Sequence, residues 1–251
     1  MPATPACPPS SLPRLYVKRT LSEGAPLTLD GAAANYLANV LRLEAGAQLK
    51  LFDDRTGEWL AQIKEAGRKR VSLRVVERLR EREQVPDVWL LFAPIKRGRI
   101  DWLVEKATEL GAARLIPVMT ERTIVDKLNF DRLHAHAIEA AEQCERTALP
   151  ELAMPQRLQR VLREWPEDRA LYFADEKGGV SLFVAAMPGP SAILIGPEGG
   201  FTDREREAIR ALPQAKAVSL GPRILRADTA AIAALSVWMA EAGDWFSPVA
   251  R

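Results

Sequence analysis

Cysteine is nearly absent from this chain. The two present, Cys7 and Cys144, stand far apart and in no CxxC spacing, which leaves no basis for a disulfide framework or a thiolate metal knuckle. Histidine is as scarce. His134 and His136 are the only two, and residues two apart do not share a helix face, so they read as solvated helix residues and no metal is expected. Aromatic residues make up 6% of the chain, and its six Trp are scattered, so no platform for stacking bases stands out. No apolar run reaches the ~18 residues of a membrane span. The opening MPATPACPPSSLP lacks the basic start and apolar core of a signal peptide, and residues 1–12 read as a disordered, Pro-rich leader. These absences point to a reduced, cytoplasmic protein without a membrane anchor. Neither charge sign dominates, with 35 Lys and Arg against 33 Asp and Glu.

What is present is an ordinary globular composition. The 251 residues are 47% hydrophobic, enough for one large domain or two modest ones. Charge is unevenly spread. Residues 13–86 hold 14 basic and 10 acidic side chains, and residues 87–251 hold 21 and 23. A basic front part on a near-neutral body suits a polyanion-docking module joined to an enzyme.

The hydrophobic pattern changes at the same place. Between residues 14 and 79, RLYV, PLTL, QLKLF, EWLAQI and RVSLRVV alternate as half-buried strands do. One helix interrupts them, with Ala33, Leu37, Val40 and Leu41 on one face of GAAANYLANVLRL. This predicts a small β-barrel at 13–82. The basic GRKRV at 67–71 is either a solvated hairpin tip or a phosphate contact. Beyond Pro86, VWLLFAP, RLIPVM, ALYFAD, AILIG and AVSLG are continuous apolar runs, the mark of strands buried on both faces. Helical segments alternate with them, including 100–111 with Gly111 as its stop, 130–146, 202–212 with a Thr202–Glu205 capping pair, and 228–243. The second domain, 83–251, is therefore expected to be α/β with a parallel sheet.

Two loops stand out. AILIGPEGGFT and AVSLGPRILRADT each run from a buried strand through Gly-Pro to a helix. Open α/β sheets bind ligands at such carboxyl ends, and Gly lets backbone approach a ligand closely. Neither loop is a Walker A or a GxGxxG, so a phosphate cradle is not indicated. No GxSxG elbow occurs either.

IGPEGGFT, SLGPRILRADTA, VEKATELGA, PVMTERT and EAAEQCER, in their order and spacing, resemble the bacterial ribosomal RNA small subunit methyltransferase E family. The resemblance runs from about residue 13 to 245. It implies methylation of N3 of a uridine in 16S rRNA with S-adenosylmethionine as donor. The alternatives are a related methyltransferase acting on a ribose 2′-hydroxyl or another base, and a non-catalytic RNA-binding assembly factor. The implied fold is an N-terminal PUA-like barrel followed by a SPOUT domain with a deep trefoil knot. The implied partners are 16S rRNA within the small subunit and a second copy of the chain, as a homodimer.

The resemblance also places the donor site on Phe173, Ala174, Ile195, Gly196, Gly199, Gly200, Leu220, Gly221, Ile224, Leu225, Arg226, Thr229 and Ala230. Ile195, Leu220, Ile224 and Leu225 suit an apolar slot for an adenine ring. Glu198 suits either a ribose contact or charge compensation at a helix start. On the acceptor side, Arg226 is a fixed cation for an anionic uracil, flanked by Arg223. Glu142 and Arg146 are either a surface i,i+4 pair or catalytic. The base is Glu142, Asp228 or water, and Asp228 also suits an N-cap. Arg14, Lys18, Arg42 and Arg223 are expected to contact RNA. The chain departs from the family at Asp228, where Glu is usual, at Glu145, where Gly is frequent, and at Asn35–Tyr36, where a His is frequent.

Overall fold

The computed structural model describes residues 12–125 and 127–246. The expected leader therefore lies, but for Leu12, outside the described residues. The chain forms two compact units. The first comprises residues up to Gln84 with Ala141–Ala148, and the second comprises Val85–Ala140 with Leu149 onward. Sequence reading assigns all of 83–251 to the second domain, whereas 141–148 packs with the first.

The first unit contains β1 (Arg14–Tyr16), β2 (Pro26–Asp30), α1 (Gly31–Asn35), β3 (Gln48–Phe52), β4 (Glu58–Ala66) and β5 (Arg70–Arg80). They make a half-barrel sheet of order β1-β3-β4-β5-β2. β1 runs parallel to β3, and the other pairs are antiparallel. Three register shifts bend the β4–β5 hairpin, whose tip is the GRKRV turn, closed by Gly67 N–H to the Arg70 carbonyl at 2.9 Å. The expected single helix is instead α1 followed by a π-helical turn, Tyr36–Val40. The wider turn shifts the phase of the side chains. Ala34 and Leu37 are buried, while Val40 is 61% exposed, so Val40 leaves the apolar face expected for it.

A buried ion pair anchors 141–148 within this unit. Arg14 pairs with Glu58, both side chains almost wholly buried, and its guanidinium lies 3.9 Å from the Phe52 ring centroid. Its other nitrogens donate to the carbonyls of Ala141 at 2.6 Å and Arg146 at 2.7 Å. Glu58 also accepts from Arg80 at 3.1 Å, and Arg80 reaches the Glu145 carbonyl. Glu83 accepts from the amides of Thr147 and Ala148 at 2.6 and 3.0 Å. Glu145 takes a left-handed φ of 61°, a conformation that glycine adopts without strain.

The second unit contains β6 (Val88–Phe92), α2 (Arg99–Glu109), β7 (Arg114–Met119), α3 (Phe130–Gln143, its last residues in the first unit), β8 (Glu151–Leu152), β9 (Gln156–Arg157) and α4 (Leu158–Arg163). It continues through β10 (Ala170–Ala174), β11 (Val180–Ser181), α5 (Leu182–Ala185), β12 (Ser191–Ile195), α6 (Asp203–Arg210), β13 (Ala215–Ser219) and α7 (Ala227–Ala242). The sheet order is β11-β13-β10-β12-β6-β7-β8, with β9 also on β7, and its pairs are parallel. Apolar runs bury both faces. Leu90, Tyr172 and Ile193 face a core with α2 and α7, and Leu91, Phe173 and Leu194 face one with α4 and α6. Three short strands and two short helices escape sequence reading because two to six residues carry too little periodicity. His136, expected to be solvated, is half-buried with Nδ1 2.7 Å from Glu105.

Burial alone would raise the pKa of Glu58, but the hydrogen bonds and charges of Arg14 and Arg80 outweigh it and hold the carboxyl below its ordinary value. The resulting stabilisation is complete above the unfolded pKa of ~4.3 and is lost as pH falls through the lower folded value. Glu58→Gln leaves Arg14 buried without its counter-charge and should cost about 3–5 kcal/mol. Urea unfolding at pH 7 and pH 3 should show that cost shrinking in acid. An equal cost at both pH values would mean that the charge of Glu58 does not stabilise the unit.

Candidate active site

Loops leaving the carboxyl ends of three adjacent strands, β10, β12 and β13, enclose a cavity of about 490 Å³ in the second unit. This lies within the ~300–1,000 Å³ of small-molecule sites. Ile195 and Val218 are buried in its floor, and Leu220 and Leu225 pack on the core beneath. Gly200 has φ 67°, and a Cβ there would meet the carboxylate end of Glu176. Gly221 has φ 107° and open space around it. Among the described residues, the amides of Gly196, Leu220 and Leu225 make no hydrogen bond, which leaves donors at the cavity.

Helix α6 ties the loops after β10 and β12 together. Asp175, its side chain fully buried, accepts from Arg206 and Arg210, each at 2.8 Å, and from the Lys177 amide at 3.0 Å. Burial would raise its pKa, but Arg210 and Arg206 outweigh that and keep it ionised. Arg206 also pairs with Glu176 and donates to the Phe201 carbonyl at 3.0 Å. Glu205 completes the expected cap with Thr202 and accepts from the Glu121 amide at 2.7 Å. Arg122 donates to the Gly199 carbonyl at 2.6 Å.

Of the expected donor-site residues, Ala174, Ile195, Gly196, Gly199, Gly200, Leu220, Gly221, Ile224, Leu225 and Ala230 line this cavity, as does Arg223. Ile224 is 91% exposed, so it stands at the rim and does not wall a closed slot. Phe173 is fully buried against Phe201 below the floor, with ring centroids 6.5 Å apart. Arg226 and Thr229 are exposed at the head of α7 and outside the lining. The N-cap of α7 is Arg226, with Asp228 in the first turn, so Asp228 is not the N-cap. Glu198 precedes α6, whose first-turn acids are Asp203 and Glu205. It lies 3.9 Å from Arg99 instead of compensating a helix start.

Glu142 and Arg146 lie in the first unit. Glu142 Oε1 accepts from the Tyr16 amide at 2.8 Å. The Arg146 side chain is 4% exposed, beside Glu83, so it is not displayed to solvent as an anion clamp would be. Arg14 is likewise no surface phosphate contact, since Glu58 and backbone carbonyls occupy its guanidinium. Lys18 and Arg42 are exposed. Lys177, Gly178, Val218 and Ser219 line the cavity although sequence reading does not place them there. For Lys177 and Gly178 the Asp closing ALYFAD was the available signal, because a carboxylate just after a buried strand needs partners.

Residues 81–239 match the model of an RNA methyltransferase domain, and residues 29–76 that of an RNA methyltransferase PUA domain. Fold and cavity thus define a two-domain protein of the RNA methyltransferase class. A ribosomal RNA small subunit methyltransferase E of Rickettsia conorii is 32% identical, covering 89% of this chain and 93% of that protein. The same-named protein of Bacillus subtilis is 30% identical, covering 87% and 91%. A putative methyltransferase from Legionella pneumophila, solved in complex with bound SAM, is 34% identical with a TM-score of 0.84, covering 93% and 99%. A ribosomal RNA small subunit methyltransferase E from Neisseria gonorrhoeae, solved with S-adenosyl methionine, is 26% identical with a TM-score of 0.86, covering 93% and 99%. The chain belongs to the ribosomal RNA small subunit methyltransferase E family.

Gly221→Ala should cost more than ~1 kcal/mol, because φ 107° lies outside the left-handed region open to residues with a Cβ. Gly200→Ala should cost less, since φ 67° lies within that region and the added Cβ meets only the movable end of the half-exposed Glu176 side chain. Denaturant unfolding of the two variants should rank them in that order, and the reverse ranking would mean that Glu176 is held rigidly against Gly200.

Proposed function

We propose that this chain methylates N3 of a uridine in 16S rRNA of the small ribosomal subunit, with S-adenosylmethionine as donor. The observation that carries the reading is the glycine-lined cavity at the ends of β10, β12 and β13, built from the motifs that resemble the family. The donor's adenosyl group has flat apolar faces and a hydrogen-bonding edge. Ile195, Leu220 and Leu225 suit the faces, and the amides of Gly196, Leu220 and Leu225 suit the edge. Gly199 and Gly200 leave room beside a ribose. When bound, the donor supplies the methyl group.

The protein's further task is to make uracil N3 nucleophilic. Its proton must leave, and the charge then spreads over O2 and O4. Arg226, exposed between cavity-lining Leu225 and Ala227, is the cation for those oxygens, with Arg223 beside it. Asp228, in the same turn of α7 with a side chain 16% exposed, is the candidate acceptor for the proton. Lys18 and Arg42 serve RNA docking from the barrel unit. We further infer a cytoplasmic homodimer. Ile232 and Val237 of α7 are only half-buried, so this face is available to a second copy. The family resemblance further supports a chain that threads a trefoil knot.

Calorimetry should detect S-adenosylmethionine binding to the protein. Gly221→Val should weaken it, since a branched side chain would enter the open space at the cavity. Incubation with small ribosomal subunits from cells lacking the enzyme, followed by mass mapping, should find 3-methyluridine. A 2′-O-methyl nucleoside, or no product, would sink the reading. Arg226→Ala should still bind RNA while single-turnover transfer falls ~10²–10³-fold. A normal rate would mean that Arg226 plays no chemical part. Sedimentation at micromolar concentration should give a dimer, and an active monomer would overturn that assignment.

A further inference from the structure

The turn between β6 and α2 reads Lys96-Arg97-Gly98-Arg99, and Lys96 and Arg97 have no part in the function proposed above. It leaves the carboxyl end of β6, next to β12 in the sheet. The Ala93 amide donates to the Ile195 carbonyl at 3.0 Å, so this turn starts beside the loop that carries Gly196–Gly200. Buried Ile95 fixes its entry. Gly98, at φ 87°, and bonds from the amides of Arg99 and Ile100 to the Lys96 carbonyl, at 3.2 and 3.3 Å, fold it tightly.

The acids nearby are spoken for. Arg99 lies 3.9 Å from both Glu198, in the loop after β12, and Asp228, in the first turn of α7. Asp101 accepts from the Gly98 amide at 3.2 Å and faces Arg132 at 3.0 Å. Lys96 and Arg97 are exposed and have no carboxylate within ion-pair distance among the described residues. Arg223, on the cavity wall, is exposed and in the same position. Arg114, Arg132, Arg169 and Arg206 of this unit each face a carboxylate, and Lys96, Arg97 and Arg223 differ from other exposed cations without one, such as Arg157 and Lys216, in lying beside the cavity loops. Uncompensated cations cost self-repulsion unless a polyanion covers them.

We propose that Lys96 and Arg97, with Arg223, form a phosphate-binding edge on the methyltransferase unit that holds the backbone of the acceptor RNA strand beside the cavity. This rests on the RNA-methylating function proposed above. RNA docking is then shared between the units, although the second has no net basic charge. Arg99 acts differently. Its charge faces Glu198 and Asp228.

The test uses the full-length protein and a single-stranded oligouridylate, with affinity measured across a salt series. Lys96→Glu with Arg97→Glu should remove two phosphate contacts. At ~0.7 units of salt slope per single-strand contact, the slope should fall by about 1.4, and affinity by about 25-fold at 0.1 M salt. S-Adenosylmethionine affinity should not change, because neither residue lines the cavity. Arg157→Glu with Lys216→Glu, exposed cations elsewhere on the same unit, controls for net charge and should leave slope and affinity near wild type. An unchanged slope in the Lys96/Arg97 variant, or an equal loss in the control, overturns the proposal. Wild-type protein that binds the donor yet never methylates small-subunit RNA would instead sink the proposed function. That outcome is separate, because the oligouridylate titration does not depend on turnover.

Discussion

Asp175 directly follows β10 with its carboxylate out of solvent, and the cavity depends on how that charge is met. Arg206 and Arg210 reach it from α6, and Arg206 continues to Glu176 and the Phe201 carbonyl. A carboxylate this deep would be costly if either arginine were lost. The pairing therefore obliges α6 to lie against the loop that leaves β10. The loop after β12, which leads into α6, is held by the same contact. Glu205 and Arg122 extend the restraint to the segment after β7. The loop after β10 and the glycine-bearing loop after β12 are thus held by protein charges, which lowers the entropic cost of binding.

The barrel unit uses the same device for a different end. Arg14 and Glu58 are paired inside it, and the arginine's remaining donors grip the carbonyls of Ala141 and Arg146. A segment distant in sequence becomes part of the barrel's fabric. This changes how the basic excess of residues 13–86 is read. Arg14 and Arg80 are structural charges, and only such exposed side chains as Lys18 and Arg42 remain available to a polyanion. A charge count cannot separate the two kinds, because both add one to the sum.

The strands were legible because period-two alternation in the first unit and continuous apolar runs in the second are direct consequences of one-sided and two-sided burial. The donor loops were legible because glycine is required where φ is positive or backbone approaches a neighbour closely, as at Gly200 and Gly221. The helix at 31–41 was found, but its buried face was misjudged at Val40. A 3.6-residue period was assumed where the chain makes a π turn. Ile224 was placed in a wall that it only borders, since apolar character does not say which side of a loop a side chain takes.

Residue types and their order determined the two-part organisation, the parallel sheet, the capping pair at Thr202 and Glu205, and the glycine loops that mark the cavity. These are local properties, settled within a few residues by sterics, capping and burial period. Only the tertiary structure decided the fates of the charges. Arg14 is buried on Glu58, Arg206 on Asp175, and Arg99 stands between Glu198 and Asp228, while Lys96 and Arg97 meet no carboxylate among the described residues. The reason is physical. An ion pair joins residues far apart in the chain, its strength depends on the water excluded around it, and both are known only once the whole chain has folded.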